Sequence, residues 1–424
     1  MAKVYFPDVK RLGRLGYARV SHVPVIFNSQ WKYERAFNRY LRERALLLWH
    51  PCEDFNPVTR KIDYPGPNTL KNIAHYLKNF LEWCERRGLD WRLATYADIL
   101  TYQNDMRTGH WSRDGEPLDA STANQRADAA THFLVWAAKR HLRQAFGEII
   151  SQSGRMIAGH TPAGRRRAVV EGRPGRIKER GNKAISRITM IPPATEIREW
   201  LAAIKRRKGY AKYLACRFVL ETGVRRDELR GILERGLPSL DDLEGLATRG
   251  QFTAPMDLYR TKGGRPRTIQ IPIEFARELR KWAETKRLTL MWAYKRRTGK
   301  PASDALFLSD ARGYEGVPIS PSTLYETFTS QKPRPKWSPH KGRHAFACFY
   351  VLHAMEFEAR ILGKSAMEMS SGWIIDRGSW WIATLRRQLG HLSEETTDIY
   401  LRWLLTSARL AEAACGWHKF LDGE

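Results

Sequence analysis

Read from its N-terminus, the chain alternates between stretches whose apolar residues fall at helical spacing and stretches without pattern. Residues 1–30 are basic and weakly patterned, and are expected to form an extension, either an arm or a disordered tail. From Gln30 to Trp49 the pattern becomes helical, with Tyr33, Phe37, Tyr40, Leu41 and Leu47 on one side. A loop rich in Pro and Asn follows. Asn68 then reads as the N-cap of an amphipathic helix carrying Leu70, Ile73, Leu77, Phe80, Leu81 and Cys84, ended by Gly88. A shorter helix is predicted over Tyr96–Arg107. Another begins at Ser121, with Ala123, Ala127, Ala130, Phe133, Leu134 and Ala137 as its stripe. Four helices without convincing strands predict an all-α module over residues 31–150.

Residues 151–192 change character. Between Gly159 and Arg187 lie Arg165, Arg166, Arg167, Arg173, Arg176, Lys178, Arg180, Lys183 and Arg187, with several glycines and two prolines. Such a segment cannot offset its ordering entropy by burial, so it reads as a linker or flexible loop; we favour one that tracks phosphates through residues such as Arg165, Arg166 and Arg167. A second domain, 193–424, opens with Ile197, Trp200, Leu201 and Ile204 at helical spacing, then a helix over Lys212–Glu221 ending at Thr222-Gly223. Between Thr253 and Pro272 the pattern turns strand-like, with turn residues at Lys262-Gly263-Gly264-Arg265-Pro266, which predicts a β-hairpin. From Pro321 onward everything reads as helix or loop.

Composition narrows the partners. Lys and Arg number 72 against 45 Asp and Glu, and a net charge of +27 repels itself unless a polyanion neutralises it. Nucleic acid is therefore the first partner to consider. No run of eighteen apolar residues exists, so a membrane role finds no support and a cytoplasmic, nucleoid-associated protein is expected. The cysteines Cys52, Cys84, Cys216, Cys348 and Cys415 are scattered, none at metal-ligand spacing, and read as free thiols in a reducing compartment rather than as a metal site.

Three segments of the second domain hold polar residues at unusual places. They are Thr222-Gly223-Val224-Arg225-Arg226-Asp227-Glu228-Leu229, then His340-Lys341-Gly342-Arg343-His344, then Leu389-Gly390-His391 with Tyr400 nine residues on. In this order, with a lysine-bearing hairpin between the first two, they closely resemble the tyrosine recombinase (phage-type integrase) family. Each residue alone has a blander reading: Arg225 a surface charge, His344 a core or supporting residue, Tyr400 a core tyrosine beside Leu401, Trp403 and Leu404. The register of the motifs reverses those readings for Arg225 and Tyr400.

The resemblance implies a fold and a chemistry. The fold is mainly α, with a four-helix SAM-like core-binding domain and an α+β catalytic domain holding a small β-sheet or hairpin. Displacement at phosphorus builds charge on nonbridging oxygens, which planar, permanently charged guanidiniums stabilise. The resemblance assigns that clamp to Arg225 and Arg343, completed by His340 and His391. It makes Lys262 the acid that protonates the leaving 5′ oxygen and Tyr400 the nucleophile that forms a 3′-phosphotyrosine. Glu228 and His344 would support the site, while Arg265 and Arg267 are read as phosphate contacts. No metal and no cofactor is implied. The resemblance further implies a C-shaped clamp on duplex DNA and a homo-tetramer in the synaptic complex, with accessory recombination proteins as further partners.

The sequence departs from that pattern in two intervals. Arg343 and His391 lie 48 residues apart, about twice the family's usual interval, and the extra length over Glu358–Trp381 is expected to loop outward, over DNA or against a partner subunit. Trp373, Trp380 and Trp381 read as packing residues. The interval from Arg225 to Lys262 is also long. After Tyr400, Leu404, Leu405, Leu410, Ala411, Ala414 and Trp417 predict one more helix, docking into a neighbouring subunit or packing on its own chain. The function implied is site-specific recombination that integrates or excises a mobile element. The alternatives are a chromosome-dimer resolvase of the same family, a type IB topoisomerase, and a catalytically silent DNA-binding protein.

Overall fold

The computed structural model describes residues 1–51, 64–112, 114–147, 154–156, 167–169, 173–177, 191–261, 266–331, 333 and 337–390. The chain divides into two compact units, Met1–Gly181 and Asn182–Glu424. It is mainly helical, with three small antiparallel strand pairs among the described residues.

In the first unit, helices α2 (Arg35–Ala45), α3 (Pro67–Arg86), α4 (Tyr96–Thr108) and α5 (Ala120–Lys139) enclose one core. Their stripes converge on aromatic rings: Phe37 stacks on Phe133 at 4.1 Å between centroids, and Trp91 meets Phe37 edge-on. Glu43 is buried there, and burial raises its pKa. Hydrogen bonds from Trp136, Arg140 and Arg39 outweigh that and leave the carboxyl below its ordinary value. The start of α3 differs from expectation. Its N-cap is Gly66, and Pro67 takes the first helical position, where the missing N–H costs nothing and the fixed φ suits the helix.

Residues 1–30 are not a free arm. β1 (Lys3–Tyr5) pairs antiparallel with β2 (Val25–Phe27), the short helix α1 (Val9–Arg14) lies between them, and Ala2, Val23 and Ile26 are buried in the unit's core. Asn38 of α2 fastens this ribbon. Its Oδ1 accepts from the Ile26 N–H at 2.7 Å and its Nδ2 donates to the Ile26 carbonyl at 2.9 Å.

Part of the basic segment is also anchored. β3 (Gly154–Met156) pairs with β4 (Arg167–Val169), and residues 173–177 bond to α4 and α5. Arg173 donates to Asp128 at 3.1 Å and to Gln103, while Asn124 exchanges two bonds with the Ile177 backbone. Arg173 is therefore a buried ion-pair partner and not a phosphate contact. Arg165 and Arg166 lie outside the described residues; the backbone of Arg167 pairs with Met156.

The second unit is built around α7 (Tyr210–Thr222), buried through Ala211, Leu214, Ala215, Cys216, Phe218 and Val219. A helix apolar on so many sides must be covered all round. α6 (Ala194–Lys208), α12 (Pro321–Ser330), α13 (Pro339–Ile361) and the hairpin pack against it. That hairpin pairs β5 (Thr253–Leu258) with β6 (Arg267–Pro272); its alternate residues Ala254, Met256, Leu258, Ile269 and Ile271 face the core. Between these lie α8 (Arg226–Leu229), α9 (Leu240–Thr248), α10 (Ile273–Glu284) and α11 (Lys286–Thr298).

The extra length before the third motif is helical and does not loop outward. α13 continues to Ile361, and after a short turn α14 (Ser371–Leu389) returns along it, burying Ala359, Ala366, Ile374, Ile382 and Leu385. Trp373 and Trp381 pack on this core, whereas Trp380 is 53% exposed, outside the core, and meets the Trp381 ring edge-on. Cys84, Cys216 and Cys348 are buried and free. Among the described residues no helix is long and apolar enough to cross a membrane.

Candidate active site

The motif segments meet at the C-terminal end of α14. Gly223 closes α7 with φ of +66°, and a Cβ there would stand 2.5 Å from Phe346 and 2.6 Å from Leu389. Both the backbone angle and the lack of room demand glycine. The chain then turns so that Arg225 becomes the extended N-cap residue of α8. Its N–H donates to Glu228 Oε2 at 2.8 Å, its Nη1 to Oε1 at 3.0 Å, and its Nη2 to the Gly390 carbonyl at 3.1 Å. The Arg225 side chain is 28% exposed, so its guanidinium, with five N–H bonds, keeps a face toward the outside.

Arg343, near the start of α13, is 2% exposed. Its Nη1 donates to the Gly223 carbonyl and its Nη2 to the Leu389 carbonyl at 2.6 Å. Two arginines far apart in sequence thus grip the successive carbonyls of Leu389 and Gly390. Gly390 itself is left-handed, φ +60°, and caps α14. These C-terminal carbonyls carry the negative end of the helix, which favours the two cations gathered there. Of the pair, Arg225 is the one with open surface; Arg343 lies beneath.

Glu228 is 2% exposed and sits at the centre of the charge arrangement. Burial raises its pKa, but hydrogen bonds from Arg267 and the Arg225 N–H, with the charges of both arginines, outweigh it and hold the carboxyl at about 2. Arg267, expected to touch phosphate, turns inward instead. Its Nη1 and Nη2 donate to the two Glu228 oxygens at 2.7 Å each, its Nε donates to the Gln388 carbonyl at 3.2 Å, and its side chain is 12% exposed. A two-pronged fit to a buried carboxylate outcompetes a solvated phosphate contact on an exposed strand.

His340 lies one turn before Arg343 on the same helix face and is exposed, while His344 is buried. Their Nε2 atoms are 3.1 Å apart. Two imidazoles bonded through Nε2 must differ at that atom, one carrying the proton and the other accepting it, so each constrains the tautomer of its partner. Two guanidiniums meet at the end of α14, and the imidazole pair lies on the same helix as Arg343; these groups supply fixed positive charge and N–H donors suited to an oxyanion. Lys262, Arg265, His391 and Tyr400 lie outside the described residues.

The sequence reading missed Gln388. Its Nε2 donates to the carbonyls of Thr222 at 3.1 Å and Gln270 at 3.0 Å, and its Oε1 accepts from the Gln270 N–H at 2.7 Å. The available signal was its place immediately before Leu389-Gly390-His391.

Residues 193–362 match the model of the phage integrase family. No curated protein sequence matches the chain. Among solved structures, XerH site-specific recombinase in a post-cleavage complex with its palindromic difH substrate is similar. Its TM-score is 0.51 at 16% identity, covering 83% of this chain and 81% of that one. A lambda integrase (75–356) dimer on a COC′ core site has a TM-score of 0.45 at 14% identity, covering 86% and 94%. XerA recombinase has 0.32 at 18% identity, covering 88% and 98%.

Proposed function

We propose that the chain is a tyrosine recombinase that integrates or excises a mobile DNA element by cutting and rejoining strands through a 3′-phosphotyrosine, a reading supported by the match of residues 193–362 to the phage integrase family. Tyr400 is the nucleophile in this reading. Arg225 contacts the scissile phosphate directly, Arg343 backs it with a second fixed charge, and His340 and His391 complete the oxyanion site. Lys262 protonates the leaving 5′ oxygen, so that the phosphodiester energy is kept in the tyrosine ester for rejoining. Double-stranded DNA is the substrate, and a homo-tetramer of this chain performs the exchange.

The observation that carries the reading is the grip of Arg225 and Arg343 on the adjacent carbonyls of Gly390 and Leu389. It draws three distant motifs to one point, immediately before His391, which Tyr400 follows by nine residues in the sequence. The test is recombination between two marked copies of the DNA junctions flanking the gene for this chain, in buffer with chelator and no nucleotide. Recombinant molecules are expected from the wild-type chain and none from Tyr400→Phe. Relaxation of supercoils without exchange of markers would favour a topoisomerase, and recombination by Tyr400→Phe would end the proposal.

A further inference from the structure

β5 and β6 form a sheet of two strands, so the outer edge of β6 has no strand beside it among the described residues. Unpaired edges need cover. Gln388 supplies it: its amide takes both the N–H and the carbonyl of Gln270, as a neighbouring strand would, and adds the carbonyl of Thr222. Its own backbone carbonyl then accepts from Arg267 Nε. The bonds close a ring from Gly390 through Arg225, Glu228, Arg267 and Gln388 back to the end of α14.

The ring constrains how Arg225 is presented. A carboxylate offers about four acceptor positions. On Glu228, Oε1 takes Arg225 Nη1 and Arg267 Nη1, while Oε2 takes the Arg225 N–H and Arg267 Nη2. With that fork in place, Arg225 meets Glu228 through one guanidinium nitrogen, and Nη2 is directed to Gly390. Remove the fork, and Arg225 can close its own two-pronged pair with Glu228, turning away from Gly390. Gln388 fixes the strand that carries the fork.

Resting on the recombinase reading, we propose that Arg267 and Gln388 are positioning residues for strand cleavage, holding Arg225 in the one orientation that meets the phosphate. Neither touches DNA. The fork explains why an arginine stands at position 267: a lysine keeps the charge but cannot fill both oxygens of Glu228.

The test uses the full chain with Gln388→Met, Arg267→Gln and Arg267→Lys, on nicked duplexes tiled across the DNA flanking its gene. Three quantities are read: DNA affinity with its salt slope, the rate of covalent adduct formation at saturating DNA, and deuterium exchange at the Gln270 amide. We expect unchanged affinity and salt slope in all three variants, with adduct formation slowed by roughly 10- to 100-fold, the scale of a small misplacement of a reacting group. Arg267→Lys should not rescue, and Gln270 should exchange faster in Gln388→Met. A salt slope reduced by about one in Arg267→Gln, restored by Arg267→Lys, would make Arg267 a phosphate contact and overturn the proposal. Should Arg267→Gln fail to fold, Gln388→Met decides, since it lies on the half-exposed end of a helix. Full-speed cleavage by Gln388→Met beside an active wild type would sink the positioning role. A wild-type chain that forms no adduct would instead sink the recombinase reading.

Discussion

Two small ribbons in this molecule are fastened in the same way and serve different ends. In the first unit Asn38 takes both backbone groups of Ile26 and pins β1–β2; in the second Gln388 does the same to Gln270 and pins β5–β6. Asn38 is 2% exposed, amid an aromatic core with no charge network attached to its amide. Gln388 stands beside Arg267, Glu228 and Arg225, at a helix end whose carbonyls hold two arginines. The same amide device is surrounded by apolar rings in the first unit and by guanidiniums in the second, and the positioning role proposed for Gln388 rests on that difference.

The comparison breaks most sharply at Glu228. Glu228→Ala leaves the Arg225 and Arg267 guanidiniums without their shared carboxylate, and removing one partner of a buried pair costs about 3–5 kcal/mol. We expect denaturant unfolding to show that loss in the second unit, with cleavage lost as well. Asn38→Ala should cost less, about 1–3 kcal/mol, by leaving the Ile26 groups buried and unpaired. Its effect should fall on the stability of the first unit, and adduct formation at saturating DNA should stay at the wild-type rate. An equal loss of cleavage in Asn38→Ala would erase the distinction between the two ribbons.

Acid sharpens it further. Glu228 is held at about 2 against an ordinary 4.5, so the stability it contributes is complete above 4.5 and drains away as pH falls from there to about 2. Glu228→Gln lacks that term. Its melting temperature should therefore fall less than the wild type's between pH 5 and pH 3, the smallest of these effects. An identical fall in both proteins would contradict the charge arrangement described for Glu228.

Much of this was legible in the sequence, for identifiable reasons. Long amphipathic helices declare themselves by their stripes, and α3, α4, α5 and α7 lie within a few residues of their predicted bounds. Arg225, Glu228, Arg343 and His344 were singled out by motif register; the structure brings the first three to the end of α14 and pairs His344 with His340. Residues 1–30 were misread because strands of three residues, Lys3–Tyr5 and Val25–Phe27, are too short to show alternation. The Glu358–Trp381 stretch was taken as a loop because its length departs from the family pattern, although Ala359, Ile374 and Ile382 continue a helical stripe. Arg267 was misassigned for a deeper reason. Periodicity says which face of a strand a side chain occupies, but not that a carboxylate from the short helix α8, thirty-nine residues earlier, waits beside it. Gln388 was missed for a like cause: its place before Leu389 was the one signal, and its partners are backbone atoms that periodicity does not reveal.

The central claim is that these arginines are gathered to serve a phenol. The direct measurement digests the adduct trapped on a nicked duplex and identifies the nucleotide-bearing peptide by mass spectrometry. The account predicts a 3′-linked nucleotide on Tyr400, abolished in Tyr400→Phe and strongly reduced in Arg225→Ala. A nucleotide attached to another residue, or a 5′ linkage, would contradict it.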